Sequence, residues 1–219
     1  MPSKRRSSPS PLASVFTVLN AVAFAGWLFI LYETIVLMVL IQPTLPPIPD
    51  NLLDEVQHQI LFLEGICIVE VIRIAIGDLP GNLVLGAVLH AIRLTATTQV
   101  MPNPVLASHW TAPAILLSWA VTEVSRYPMY IFPDSGACRK IRMVVPLFTF
   151  PVGCIAEGTG AYIVLMRGET ELWLKVILMA VLFVNGVLGP TMAYPALLKK
   201  GLPVFGMGKK DMGSSKKKE

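Results

Sequence analysis

Apolar residues fall into six long runs separated by short polar or helix-breaking stretches, at about 13–41, 53–76, 82–100, 111–132, 143–166 and 172–197. Each run is long enough for the roughly 20 residues that cross a bilayer as a helix. Gln42-Pro43-Thr44-Leu45-Pro46-Pro47-Ile48-Pro49 cannot continue a helix and ends the first run. That run is too long for a signal-peptide core and is kept as a span. Gly77-Asp78-Leu79-Pro80-Gly81 predicts a tight turn between the second and third. The expected fold is an all-α bundle of six transmembrane helices with both termini cytosolic. It divides into a basic tail at 1–12, a membrane domain at 13–200 and a disordered basic tail at 201–219.

Composition supports a membrane solvent, with 54% hydrophobic and 15% charged residues in 219 and a mean hydropathy of +0.64. The net charge of +4 is concentrated near the ends. Lys4, Arg5 and Arg6 precede the first span, while Lys199, Lys200, Lys209, Lys210, Lys216, Lys217 and Lys218 follow or close the last. Arg139, Lys140 and Arg142 add a third basic group between the fourth and fifth spans. Basic flanks of apolar spans mark the cytosolic side rather than a nucleic-acid surface. Cys67, Cys138 and Cys154 show neither metal nor redox spacing, and neither do His58, His90 and His109. No metal site is expected. The carboxyl tail resembles the dilysine retrieval signal of endoplasmic-reticulum membrane proteins, carried by Lys216 and Lys217, with a plain solvated basic tail as the other reading.

Charged residues inside the runs are the candidates for chemistry. Glu157 lies within an apolar stretch where an ionised carboxylate costs about 2.5–3.5 kcal/mol on insertion scales, so a partner or a task is expected. Such a carboxyl suits proton transfer. Glu123, Arg126, Tyr127 and Tyr130 are spaced i, i+3, i+4 and i+7, which puts an ion pair and two phenols on one helix face. Such a stripe either lines a polar cleft or only braces the bundle. Glu70 and Arg73, three apart, are expected to neutralise each other.

The Trp119–Tyr130 block and Phe150-Pro151-Val152-Gly153-Cys154-Ile155-Ala156-Glu157 resemble the very-long-chain (3R)-3-hydroxyacyl-CoA dehydratases, also called protein-tyrosine-phosphatase-like proteins. Asn20, Gly26-Trp27, Leu63-Glu64, Arg93 and Arg142 extend the resemblance over most of the chain. It implies a six-span enzyme of the endoplasmic-reticulum membrane that removes water from a (3R)-3-hydroxyacyl-CoA to give the trans-2-enoyl-CoA, the third step of fatty-acid elongation. No cofactor or metal is implied, and the partners are an acyl-CoA, the bilayer and other elongation enzymes. Glu157 takes the place of the catalytic glutamate, and Arg139, Lys140 and Arg142 are candidates for the CoA phosphates.

One position departs from the family pattern. A catalytic tyrosine is expected immediately before the Pro-x-Gly, and the chain has Phe150 there. Phenylalanine keeps the ring and loses the hydroxyl, so the second acid–base group would have to be Tyr127, Tyr130 or a water, with Arg93, Arg126 and Glu123 in support. A weakened dehydratase and an inactive scaffold that assembles elongation enzymes both follow from that substitution. A transporter is disfavoured by the absence of repeat symmetry. A cysteine phosphatase fails because Cys138-Arg139-Lys140 forms no phosphate cradle.

Overall fold

The computed structural model describes residues 11–36, 50–79, 81–106 and 109–206. Long helices dominate these residues, and no strand occurs among them. They are α1 (Pro11–Val36), α2 (Asp50–Ala75), α3 (Leu83–Thr95), α4 (Thr111–Ile131), α5 (Gly136–Val144), α6 (Pro146–Arg167), α7 (Leu172–Phe183) and α8 (Tyr194–Gly201). Two π-helical segments interrupt this series. Ala96–Val100 extends α3, and Val184–Ala193 joins α7 to α8 without a break. Lys4, Arg5 and Arg6, and the expected retrieval lysines Lys216 and Lys217, lie outside the described residues.

Local sequence sets these boundaries. Gly77 turns the chain after α2 with φ +81°, a conformation that glycine adopts without strain. The amide nitrogen of Asp78 then returns to the Arg73 carbonyl at 2.9 Å. Asn82 caps α3 by accepting the Leu85 amide at 3.0 Å, and Ser135 accepts the Cys138 amide at 3.3 Å at the start of α5. The basic stretch between the fourth and fifth expected spans is therefore helical over Gly136–Val144. Its apolar residues alternate with Arg139, Lys140 and Arg142 at helical spacing, so a short amphipathic helix satisfies the backbone where a loop would not. At the other end of the chain, helical turns continue through Leu202–Phe205, past residue 201, where the tail was expected to begin.

Among the described residues, four stretches are long and apolar enough to cross a membrane: Ser14–Val36, Leu83–Val100, Gly136–Arg167 and Leu172–Phe205. α2 and α4 fall short, and the reason is their polar inventory. α2 carries Glu64, Glu70 and Arg73, and α4 carries Ser118, Thr122, Glu123, Ser125 and Arg126. α4 can be polar because it packs between α1 and α6. Its Trp119, Ala120 and Tyr127 join Trp27, Ile30, Ile60 and Leu63 in one buried cluster.

Contacts between the ends of α2 and α4 and between the end of α8 and the start of α6 make successive long helices alternate in direction, which gives the bundle two distinguishable ends. Arg73 lies over the Phe16 ring, 3.5 Å from its centroid, and so ties the end of α2 to the start of α1. α5, the start of α6 and the end of α8 meet at that same end, where Gly201 sits so close to Leu147 and the Met143 carbonyl that a Cβ would clash at 2.7–2.8 Å. This end presents exposed Arg139, Lys140, Lys199 and Lys200. The opposite end carries Arg167 beside Glu169 and Glu171.

Candidate functional site

Inside the bundle, α2, α3 and α4 share an ionic ladder. Arg93 Nη1 stands 3.1 Å from Glu64 Oε1 and 2.7 Å from Glu123 Oε1. Arg126 Nε pairs with Glu123 Oε2 at 2.8 Å, and its Nη2 lies 3.3 Å from Glu70 Oε2. His90 Nδ1 lies 2.7 Å from Glu64 Oε2. Three carboxylates thus face two guanidiniums, and a protonated His90 would bring the sum to zero. Arg93 is also flanked by two indoles, 5.7 Å from the Trp27 centroid and 5.3 Å from that of Trp119.

The expected Glu70–Arg73 pair does not form. Arg73 instead donates to Asp78 at 2.7 Å at the helix end, which leaves Glu70 for Arg126. The reason is position, since Arg73 reaches the polar turn while Glu70 faces inward across to α4.

The α4 stripe is real but divides into two roles. Glu123 and Arg126 belong to the ladder, whereas Tyr127 is fully buried beside it, accepting from Arg126 Nη2 at 2.9 Å and lying 3.3 Å from Cys67 Sγ. Tyr130 packs edge-on to Tyr127, 6.3 Å between centroids, and lies beneath Arg142 at 5.0 Å. Neither phenol lines the cavity that holds Glu157. Both candidate replacements for the missing tyrosine thus stand outside that cavity, because seven residues of α4 carry the stripe toward the basic end.

Glu157 is buried on α6, and both of its oxygens are held. Trp119 Nε1 donates to Oε1 at 2.6 Å, and Asn185 Nδ2 donates to Oε2 at 3.1 Å. A small residue on the same face of α6 makes the fit possible. Gly153, one turn earlier, lies where a Cβ would be 2.9 Å from Ser118 Oγ. The carboxylate thus faces a cavity of about 210 Å³ between α3, α4, α6 and the π-helical segment. Ser118, Thr122 and Thr149 bring hydroxyls to its wall, the last two bonded to each other at 2.6 Å. The wall extends to Pro146 and Arg126, toward the basic end. Phe150 closes one side and stacks on Tyr194 with centroids 6.4 Å apart and planes 4° from parallel. The Tyr194 hydroxyl donates to the Leu147 carbonyl at 3.3 Å.

Asn185 and Tyr194 escaped the sequence reading. Both lie in or beside Val184–Ala193, where a π-helical register replaces the 3.6-residue period on which face assignments rest. Glu64, Cys67 and His90 also converge unexpectedly, with donor atoms within 4.8 Å of one another. They do not suit a cation. Arg93 already contacts Glu64, and Arg126 Nη2 is 3.6 Å from Cys67 Sγ, so guanidinium charge occupies the surroundings a metal would need.

The basic candidates on α5 differ among themselves. Arg142 turns inward, over Tyr130 and 3.2 Å from Met129 Sδ, while Arg139 donates to the Pro133 carbonyl at 3.0 Å and Lys140 is exposed.

An apolar helical bundle with a clamped internal carboxylate and neighbouring hydroxyls defines a helical membrane protein with a buried polar site. A comparison with family models matches residues 65–200 to the protein tyrosine phosphatase-like protein family, PTPLA. The chain belongs to that family, which is the family of very-long-chain 3-hydroxyacyl-CoA dehydratases. Neither curated proteins nor solved structures gave a match.

Proposed function

We propose that the protein eliminates water from a long or very-long-chain (3R)-3-hydroxyacyl-CoA to give the trans-2-enoyl-CoA. The observation that carries this reading is Glu157, fixed by Trp119 and Asn185 and facing a cavity large enough for the reacting carbons. Two fixed donors leave little rotational freedom, so the carboxylate is ready to take a proton from one direction.

Elimination needs a base at C2 and an acid at the C3 hydroxyl. Glu157 takes the C2 proton, the C2–H electrons form the C2–C3 double bond, and the C3–O bond breaks. The same carboxyl then returns the proton to the departing oxygen, releasing water and regenerating the carboxylate. This single-carboxylate route suits a site where Phe150 offers no hydroxyl. The Thr122–Thr149 hydroxyl pair lines the same cavity and would orient the leaving oxygen.

The setting agrees with such a substrate. Six helical crossings with the basic end in the cytosol are the topology this reading adopts, and the charge asymmetry between the two ends supports that orientation. The CoA phosphates would then meet Arg139, Lys140, Lys199 and Lys200 at the mouth of the cavity, with Arg142 bracing α5 from within. An endoplasmic-reticulum address, with other elongation enzymes as partners, is the cellular setting this reading calls for.

Phe150 favours a second reading, a catalytically silent member that scaffolds elongation enzymes. Purified protein incubated with a (3R)-3-hydroxyacyl-CoA decides between them. Enoyl-CoA formation that disappears in Glu157→Gln supports the enzyme. Product no higher than that of the Glu157→Gln control would leave the scaffold.

A further inference from the structure

A second cavity of about 520 Å³ adjoins the first and shares Phe150, Cys154 and Asn185 with it. It lies between α6 and the Val184–Ala193 segment, and its lining runs along α6 from Phe150 to Tyr162. Twelve residues of helix make that groove roughly 18 Å long. Its walls are almost wholly apolar, and two glycines keep it open. A Cβ on Gly186 would meet nothing within 4 Å, and one on Gly158 would meet only Asn185 Cβ at 3.8 Å. Ile155 and Tyr162, 60% and 54% exposed, place its open side on the face that would meet lipid.

We propose that this groove holds the acyl chain of the substrate, with the thioester end at Glu157 and the chain running away from the basic end and out sideways into the bilayer. The proposal rests on the dehydratase reading for its substrate and adds the site, the direction and the selectivity. Continuity is the argument. The groove begins where the reaction cavity ends, at Phe150 and Asn185, so a chain attached to a thioester beside Glu157 has an apolar path already connected to it. A groove open along its side sets no upper limit on chain length. It gains affinity only as methylenes fill it, at about 0.8 kcal/mol for each CH₂ buried. Another apolar groove, between α1 and α2 near Val22, Phe29 and Phe62, has a similar size but no link to Glu157.

Two experiments test this. In Gly186→Leu, which places a side chain in open space, the ratio of long-chain to four-carbon kcat/KM should fall at least tenfold. Gly158→Leu should do the same from the opposite wall. An unchanged ratio in both variants would overturn the proposal. With wild-type protein, a long acyl-CoA carrying a diazirine midway along its chain should crosslink to α6 between Cys154 and Tyr162 or to the segment from Leu182 to Tyr194. Labelling confined to α1 and α2 would overturn it as well. Absence of dehydration at every chain length, together with labelling in the groove, would refute the reaction and leave the binding site standing.

Discussion

Glu157 is held by an indole N–H at one oxygen and an amide N–H at the other, and these two bonds make separate predictions. A hydrogen bond to a charged group contributes about 1.5–3 kcal/mol. Trp119→Phe keeps an aromatic ring near Arg93 and removes the N–H donor together with the pyrrole half of the indole, so kcat should fall about tenfold or more with KM nearly unchanged. Asn185→Leu should lower kcat similarly, and stopped-time assays across substrate concentrations separate the two constants. Phe150 yields the opposite sign. Its Cζ lies 3.7 Å from where a Gly189 Cβ would stand, so the space left by that glycine can receive a hydroxyl. Phe150→Tyr should raise kcat severalfold by supplying a second proton-transfer group, and initial-rate measurements on the same acyl-CoA check it.

Among the elements, α4 is the one on which the others depend. It is too polar to qualify as a span by hydropathy, yet it lies between α1 and α6 and supplies Glu123 and Arg126 to the ladder. Removing one member of a buried ion pair leaves an uncompensated charge, at a cost of about 3–5 kcal/mol. Glu123→Ala should therefore lower the unfolding temperature in detergent steeply, because Arg93 and Arg126 both lose a partner. Adding Arg126→Met should recover part of that loss. The Glu123–Arg126 pair was readable from three-residue spacing alone. The partners of Glu70 and Arg73 were not, since spacing shows which groups share a face and says nothing about what the next helix offers. Asp78 and Arg126 compete for those two residues from outside α2, and distance decides.

For the whole molecule, the boundaries of the long helices followed closely from the apolar runs and from the breaker at Gly77. The basic stretch was harder to read, because α5 is too short to stand out as a periodic segment. The site was half legible. Glu157 announced itself as a charge in an apolar run, and Trp119 lay in the motif block, but no local pattern joins residues 38 and 28 positions apart to one carboxylate. The two ends make a topological prediction. Single cysteines placed in Gly168–Glu171 should resist a membrane-impermeant thiol reagent added from the cytosol, while one placed at Leu202 should react. Labelling at both positions from the same side would contradict alternate crossings.

The Val184–Ala193 segment has one more consequence. Asn185 reaches Glu157 near its start, and Tyr194 reaches Phe150 just past its end, across a stretch wound more widely than an α-helix. Each residue of an ordinary helix advances about 100° around the axis. Deleting a single residue from this stretch, even one as plain as Val187, would let it relax to the tighter winding and swing one of those two side chains off α6. The spacing between carboxylate clamp and aromatic wall is thus written as a number of residues, and a chain that kept every named side chain while losing one anonymous valine would lose the alignment.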